Sequence, residues 1–341
     1  MKLVTVTSKG VGRVEEDWVG VLLDSGGGAP DEVVDIKRAS AHFFPDEDGH
    51  FFDQMLTVIE KSQQSLPLAR NTLAALWDSE CRSPFVECVS EVVFKSPVPI
   101  PPQIRDCLLF EEHLKNAYAG LRKTRADLEP DPKAAFIRFE QQGLYQIPDV
   151  WYEIPLYYKA NRFSVIGHKQ EIIKPHYTSL LDFELEFGCF LSRAVKDVNS
   201  EEAESSIFGY SIFNDISARD VQSKEMQGQL GPTKSKDFDT GNVIGPCIVT
   251  ADSLDPYNCI MIAKINGVEV CRGHSSAISR KFGDVISYMS QSETLVAGEF
   301  IGSGTVGGGC GLEIGRYLDV GDEIQLEVEG IGILTNKIVA D

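Results

Sequence analysis

The sequence has few positive charges and no long apolar run. Across 341 residues, 32 Lys and Arg stand against 51 Asp and Glu, a formal net charge of −19. Nucleic acids and anionic membranes attract positive surface, so this balance argues against binding to either. No stretch approaches the ~18–20 apolar residues of a membrane span, and "MKLVTVTSKGVGRVEED" lacks the apolar run of a signal peptide. We expect a cytoplasmic protein acting on a small molecule, which can be an anion held by a few local cations.

The sequence also lacks any Cys-x-x-Cys pair. Its eight cysteines are scattered at positions 81, 88, 107, 189, 247, 259, 271 and 310. Several lie in apolar, strand-like segments, such as Cys189 in "FGCFLS" and Cys247 in "GPCIVT". This pattern predicts free, buried thiols in a reducing compartment rather than disulfides or zinc sites.

The chain length is typical of one large or two unequal domains. The stiff, proline-rich segment "KSPVPIPPQ" separates two parts, so we predict a small N-terminal α/β domain over 1–96 and a second domain over 97–341. Helical spacing appears in "FFDQMLTVIEK", in "LARNTLAALW" after a break at Pro67, in "RDCLLFEEHLKNAYAGLRK" and in "SRKFGDVISYMSQ". Residues 124–150 look like a loop, with "LEPDPKAA" as the clearest break.

Short β-type runs dominate after residue 150. "KINGVEV" is typical of a two-residue Asn-Gly hairpin between alternating strands. Many short strands and few helices favour a β-rich α+β fold built on closed or folded-over sheets.

The segment "LLDFELEFG" (180–188) carries the first chemical signal. If it is extended, Asp182, Glu184 and Glu186 share one face and the apolar residues share the other. One interpretation is a strand with a solvated face, although acids are poor strand formers. The other is that the acids bind a cation.

Two further segments favour the cation. "FNDISARDVQ" places Asp215 after a strand-like run, and "GPTKSKDFDTGNVIGP" carries Lys234 and Lys236, either of which alone fits a solvated loop. Two glutamates at i and i+2 and an aspartate from another strand end supply the oxygen ligands that Mg²⁺ prefers. A nearby Lys236 or Arg219 would offset the remaining negative charge and hold an anionic substrate.

Five segments of the sequence together resemble the motifs of a known enzyme family. "LLDFELEFG", "FNDISARDVQ", "SKDFDTGNVIGPCIVT", "ETLVAGEFIGSGT" and "YLDVGDEIQLEVEGIGILTN" resemble, in order, the motifs of the fumarylacetoacetate hydrolase family. The resemblance implies a mixed β-roll in the C-terminal domain with the active site at its mouth. It implies that Glu184, Glu186 and Asp215 bind Mg²⁺, or Ca²⁺ or Mn²⁺, and that the protein is a homodimer.

The resemblance also implies the substrate pocket. Arg219, Gln222 and Lys236 match pocket residues, Tyr158 resembles a substrate-contacting tyrosine, and Thr305 resembles a threonine that binds a substrate carboxylate.

The general base is expected to be His113, seven residues after Asp106. In the name-giving hydrolases this spacing supplies a further metal ligand and the catalytic histidine, and a glutamate corresponding to Glu313 orients the histidine or water. Positions 106 and 113 share a face if the segment is helical. The alternative is a surface histidine. Some smaller relatives place a glutamate three residues after the histidine, a position that is Asn116 here.

These expectations combine into a metal-dependent hydrolase that cleaves a C–C bond in a β-diketo or acylpyruvate-type acid. His113 and Glu313 would activate water, and Lys236 would stabilise the enolate leaving group. Decarboxylation, isomerisation or dehydration of a 2-keto acid on the same site is the alternative, since these reactions share the enolate. A non-catalytic metal-binding relative is the further alternative.

Overall fold

The computed structural model of the protein describes residues 1–9, 16–23, 31–79 and 82–341. In this part of the chain the strands and helices form an α+β fold with a 12-stranded sheet, a five-stranded sheet and a short two-stranded pair. No helix in these ranges is long and apolar enough to cross a membrane.

The strands are β1 (Lys2–Ser8), β2 (Trp18–Leu23), β3 (Glu32–Asp35), β4 (Val86–Cys88), β5 (Val92–Phe94), β6 (Ile104–Cys107), β7 (Tyr157–Ala160), β8 (Val165–Ile166), β9 (Glu171–Lys174), β10 (Leu181–Asp182), β11 (Leu185–Leu191), β12 (Ile207–Asp215), β13 (Ser217–Ala218), β14 (Asn242–Thr250), β15 (Ile260–Ile265), β16 (Val268–His274), β17 (Phe300–Gly302), β18 (Glu323–Val328) and β19 (Gly332–Ala340). The helices are α1 (Ile36–Phe43), α2 (Met55–Glu60), α3 (Ser62–Asp78), α4 (Glu111–Ala126), α5 (Pro132–Gln141), α6 (Val150–Glu153), α7 (Ser200–Glu204), α8 (Arg219–Glu225), α9 (Phe282–Met289) and α10 (Gly311–Ile314).

The large sheet runs in the order β4-β3-β2-β1-β14-β12-β11-β17-β6-β7, and β5 and β8 pair with β1 and β14. The smaller sheet runs β16-β15-β18-β19-β9, and its central strands contact β11, β12 and β14. A buried apolar core fills the space between the sheets, with Phe187 and Ile212 from one and Met261 and Leu326 from the other. The apolar faces of both sheets are thereby removed from water, which is the main stabilisation of such a fold.

The N-terminal strands continue the large sheet, because β1 pairs antiparallel with β14. Helices α1 to α3 cover this end, and Ile36, Met55 and Leu68 pack against Leu3 and Val21. The sheet is therefore shared across the predicted boundary between residues 96 and 97, and that boundary stays a prediction.

Most local predictions are confirmed. The hairpin between β15 and β16 has Asn266 at φ 51° and Gly267 at φ 77°, the left-handed pair that a type I′ turn requires. The predicted late helix is α9. The seven described cysteines are free, and all but Cys88 are buried, while Cys81 lies outside the described residues.

The predictions for Pro67 and for residues 124–150 were wrong. Helix α3 begins at Ser62 and passes through Pro67 instead of restarting after it. The proline lies in the second turn and deprives only Gln63 of its i+4 donor, and Gln63 is exposed to water. The predicted loop over 124–150 contains α5, in which Asp131 caps the Ala134 N–H (3.1 Å) and Pro132 takes the first helical position. The apparent break is a helix start.

The predicted helix from Arg105 onwards was also wrong at its start. Residues 104–107 form β6, which is fully buried and pairs parallel with β17, and the helix begins only at Glu111. Pairing in the sheet overrides the local helical spacing. Asp106 and His113 therefore do not share a helix face.

Candidate active site

The acid-rich segment is buried on both faces, so the solvated-face interpretation was wrong. Asp182, Glu184 and Glu186 are 0%, 5% and 1% exposed. The strand is interrupted between β10 and β11, where the Glu184 N–H donates to the Asn214 side-chain oxygen (3.0 Å). Buried carboxylates are costly unless paired or bound to a cation, so each of the three needs a partner.

A cluster of three carboxylates forms where the central strands meet. Asp106 on β6, Glu186 on β11 and Asp215 at the end of β12 each place an oxygen within 4.8 Å of the others, and all three are buried. Gly302 on β17 pairs with Asp106, and a Cβ there would lie 2.3 Å from Asp106 Oδ1. The glycine leaves the space that the Asp106 carboxylate occupies.

The residues of this cluster fit a divalent cation. Oδ1 of Asp106 and Oδ1 of Asp215 are buried without a hydrogen-bond partner. Burial, together with the neighbouring carboxylates, raises the pKa of Asp106 and of Glu186 well above the usual range. Burial raises the pKa of Asp215 to about 6, with Glu184 adding to the rise and Lys236 opposing it. Unsatisfied, crowded carboxylate oxygens are the ligands that Mg²⁺, Ca²⁺ and Mn²⁺ accept.

Glu184 lies beside the cluster and faces two buried cations. Arg219 Nη2 and Lys236 Nζ each donate to Glu184 at 2.7 Å, and Lys236 also contacts Asp215. Burial disfavours the ionised form of Glu184, but the positive charges of Arg219 and Lys236 have the larger effect and lower the pKa of this carboxyl. Lys236 is 3% exposed, so it does not belong to a solvated loop. Lys234 does, with its ammonium 5.1 Å from the Tyr177 ring centroid.

The predicted substrate-binding residues are brought to the same place. Tyr158 donates its hydroxyl proton to Asp215 (2.6 Å), and Thr305 donates to Glu186 (3.2 Å). Arg219 Nη1 donates to Gln222 (2.8 Å). Their hydrogen bonds orient the carboxylates of the cluster or the guanidinium beside it, a role that supports ligand geometry.

His113 and Glu313 form a buried pair. The imidazole Nδ1 lies 2.7 Å from Glu313 Oε1, and the two side chains are 8% and 1% exposed. His113 lies in the first turn of α4 and Glu313 in α10, where the Gly308 N–H donates to its other oxygen (2.7 Å). The surface-histidine alternative for His113 was therefore wrong. When Nδ1 donates to the carboxylate, Nε2 is left free to accept a proton.

Asp182 is a residue of the site to which the sequence pattern assigned no role of its own. Its carboxylate accepts from Arg219 Nε (2.7 Å) and from the N–H groups of Gly311 (2.6 Å) and Leu312 (3.0 Å). It thus ties the guanidinium beside Glu184 to the first turn of α10, which carries Glu313. Its place in the same acidic alternation as Glu184 was the available signal.

Comparison with known proteins gives consistent matches. The model of the fumarylacetoacetate (FAA) hydrolase C-terminal family matches residues 134–339. The human mitochondrial oxaloacetate tautomerase FAHD2A is 32% identical over 189 residues, covering 54% of this chain and 59% of the human protein. The Bacillus subtilis oxaloacetate tautomerase YisK is 33% identical over 190 residues, covering 54% and 62%. The chain thus matches about three fifths of the length of these relatives.

Solved structures share the fold over the whole chain. A fumarylacetoacetate hydrolase from Exiguobacterium antarcticum superposes with a TM-score of 0.69 at 22% identity, covering 100% of both chains. Maleylpyruvate hydrolase from Sphingobium sp. SYK-6, solved with manganese(II) and pyruvate, gives 0.68 at 18% identity, covering 100% of this chain and 99% of that one.

Proposed function

Because the chain belongs to the fumarylacetoacetate hydrolase family, we propose that it is a divalent-metal-dependent enzyme that moves a proton at the carbon next to the carbonyl of a 2-oxo acid. The favoured reaction is keto–enol tautomerisation of a dicarboxylic 2-oxo acid of the oxaloacetate type. The names of the human and Bacillus relatives support this reaction. The observation that carries the proposal is the buried His113–Glu313 hydrogen bond. Glu313 lies three residues after Cys310, which pairs with Glu184 in an isolated β-bridge.

His113 is the proposed base and acid. Glu313 accepts the Nδ1 proton at 2.7 Å and so fixes the imidazole with Nε2 available. A histidine in this state can take a proton from the carbon and return it to the enolate oxygen, a contribution of ~10²–10⁴ to the rate. Glu313 further stabilises the imidazolium that forms, because its carboxylate is shielded from water.

The remaining residues hold the substrate and its developing charge. We propose that Lys236, whose ammonium is buried among carboxylates that raise its pKa, stays charged and stabilises the enolate oxygen. Arg219, fixed by Asp182 and Gln222, is the proposed partner of a substrate carboxylate. Tyr158 and Thr305 are proposed to contact the substrate while they orient the cluster.

The proposed cofactor is Mg²⁺, with Ca²⁺ and Mn²⁺ as alternatives. Asp106, Glu186 and Asp215 would hold it, and Glu184 beside them is the proposed fourth ligand. When bound, such an ion polarises a carbonyl as a Lewis acid.

Hydrolysis of a C–C bond in an acylpyruvate-type acid is the second candidate. The spacing of Asp106 and His113, with Glu313 bonded to the histidine, resembles the arrangement of the name-giving hydrolases. In this reaction His113 would take the proton from a water molecule instead of from carbon, and Lys236 would stabilise the enolate that leaves.

Two assays separate the candidates. With Mg²⁺ present, a tautomerase accelerates the decay of the ultraviolet absorbance of enol-oxaloacetate without changing total oxaloacetate. A decarboxylase converts oxaloacetate to pyruvate, and an acylpyruvate hydrolase releases pyruvate from an acylpyruvate. Lactate dehydrogenase with NADH reports pyruvate in both cases.

His113→Asn is the decisive variant, and His176→Asn is its matched control because that side chain is 81% exposed. We expect His113→Asn to lose activity and His176→Asn to keep it. Equal activity of His113→Asn and the wild type would refute the proposed base. A rise in melting temperature with Mg²⁺, without turnover of any of these acids, would favour the non-catalytic alternative.

A homodimer and a cytoplasmic location remain predictions. Light scattering coupled to gel filtration tests the first, and the second is tested by fractionation of cells that express the full chain.

A further inference from the structure

Cys310 lies against the His113–Glu313 pair. Its Sγ is 3.4 Å from Glu313 Oε1, and the same oxygen is 2.7 Å from His113 Nδ1. One donor atom from each of the three residues lies within 4.8 Å of the others. Cys310 is fully buried, and nothing in the proposed reaction uses its thiol.

This donor set differs in kind from the carboxylate cluster. It offers one nitrogen, one sulfur and one oxygen, which suits Zn²⁺ and other thiophilic cations and does not suit Mg²⁺. Tetrahedral Zn²⁺ with bonds of about 2.3 Å to sulfur and about 2.0 Å to oxygen places those two atoms about 3.5 Å apart. The Sγ–Oε1 distance of 3.4 Å matches that spacing, whereas the Nδ1–Oε1 distance of 2.7 Å would have to lengthen to about 3.3 Å on binding.

We propose that His113, Cys310 and Glu313 form an inhibitory Zn²⁺ site, separate from the carboxylate cluster. Three protein ligands leave a fourth position for water, a coordination that Zn²⁺ takes readily. No zinc-like spacing is visible along the chain because His113 is distant from the other two residues, and only the fold brings the three together.

Occupation of this site would remove the proposed base. The Nδ1 and Oε1 atoms that share the imidazole proton would instead bind the cation, that proton would move to Nε2, and the Cys310 thiol would release its proton to solvent. Burial raises the pKa of the Cys310 thiol well above its usual range, but a coordinating cation deprotonates a thiol outright. The neighbouring Gly308, at φ 75°, leaves the loop beside Glu313 without side-chain bulk.

Ligation is tested with Co²⁺ as a spectroscopic probe in the presence of saturating Mg²⁺. Cobalt bound to a thiolate gives a near-ultraviolet charge-transfer band, which oxygen ligands do not give. We expect the band in the wild type and its loss in Cys310→Ser. Cys271→Ser is the matched control, since its Sγ lies beside the same loop, 3.9 Å from the Gly307 carbonyl. Cys88→Ser controls for the exposed thiol.

Two results would overturn the site: no band in the wild type, or a band that survives Cys310→Ser. If Cys310→Ser does not fold, His113→Asn and Glu313→Gln replace it, and each must lower Co²⁺ and Zn²⁺ affinity by more than ~10-fold. Unchanged affinity in both variants would refute the ligand set.

Inhibition is tested separately, and only this step rests on the proposed function. Zn²⁺ should inhibit the wild type with Mg²⁺ present, and Cys310→Ser should need at least ~100-fold more Zn²⁺ when each rate is normalised to its own zinc-free value. Equal sensitivity of the two proteins would refute the inhibitory role. If no substrate is turned over, the proposed function fails while the cobalt band still decides the site.

Discussion

The crowding of carboxylates predicts that the stability of the metal-free protein depends on pH in an unusual way. Substitution of Asp215 is the most direct test of this prediction. The pKa of its carboxyl rises from 3.8 to about 6 on folding, chiefly through burial. A raised pKa means that this contribution to stability is fully present below pH 3.8 and is lost as the pH rises through about 6. In EDTA, wild-type stability relative to Asp215→Asn should therefore fall between pH 4 and pH 7.

The magnitude follows from linkage. The difference between 3.8 and about 6, at ~1.4 kcal/mol per pH unit, corresponds to a loss of about 3 kcal/mol. At roughly 2 °C per kcal/mol for a chain of this size, the relative melting temperature should fall by roughly 6 °C. Asp106 and Glu186 shift in the same direction, but both residues are present in both proteins, so their own losses largely cancel in the comparison.

The assay is urea or thermal unfolding of both proteins from pH 4 to pH 7, in EDTA and in excess Mg²⁺. The comparison with Asp215→Asn removes the contributions of the other acids, several of which have the opposite sign. Asp239→Asn, which removes an exposed acid in the loop before β14, is the matched control for the loss of one carboxylate.

Mg²⁺ should offset most of this loss of stability. A cation at 100 times its dissociation constant adds about 2.7 kcal/mol to the wild type, and Asp215→Asn should gain much less. A difference in EDTA that is independent of pH would refute the account of carboxylate crowding. Equal stabilisation of both proteins by Mg²⁺ would remove Asp215 from the ligand set.

Three further predictions concern the same site. His113→Asn and Glu313→Gln should each lower kcat by ~10²–10⁴-fold, and the double variant should be about as slow as the slower single one, because the two residues act as a unit. Lys236→Met should cost about 3–5 kcal/mol of stability in EDTA, because it leaves buried carboxylates without their positively charged partner. Addition of Mg²⁺ should restore most of this loss, as measured by urea unfolding. Gly311→Ala would place a Cβ 2.2 Å from a backbone carbonyl oxygen and shift the turn that carries Glu313, so we expect kcat to fall roughly 10²-fold. Gly228→Ala, where a Cβ meets nothing within 4 Å, should leave kcat unchanged.

The acidic alternation was a sound guide to which residues lie in the site. Charged groups at i and i+2 on a strand must share a face, and strand formers do not tolerate them without a reason. The pattern could not show that the strand is interrupted between β10 and β11. Because of this interruption, Asp182 contacts Arg219 and α10 instead of the carboxylate cluster. That separation depends on the Asn214 side chain, which comes from another strand.

Local patterns failed where distant partners decide the structure. Residues 104–107 have helical spacing with the helix that follows, but β17 supplies hydrogen bonds that only a strand can use. Asp106 reaches the cluster because of that pairing. The approach of His113 to Cys310 and Glu313 has the same origin, since 200 residues separate His113 from Glu313 in the chain.

The glycine at position 302 has a consequence for anyone who wishes to alter this protein. The Asp106 carboxylate occupies the space that a side chain at position 302 would need. Gly188 on β11 faces Gly302, and a Cβ at position 188 would lie 2.4 Å from the Phe300 ring. In mutant libraries that randomise either position, most variants should therefore have a distorted carboxylate cluster, whichever substrate is used for selection. Diversity is better introduced on the side of Arg219 and Gln222, where a new side chain does not have to displace a carboxylate of the cluster.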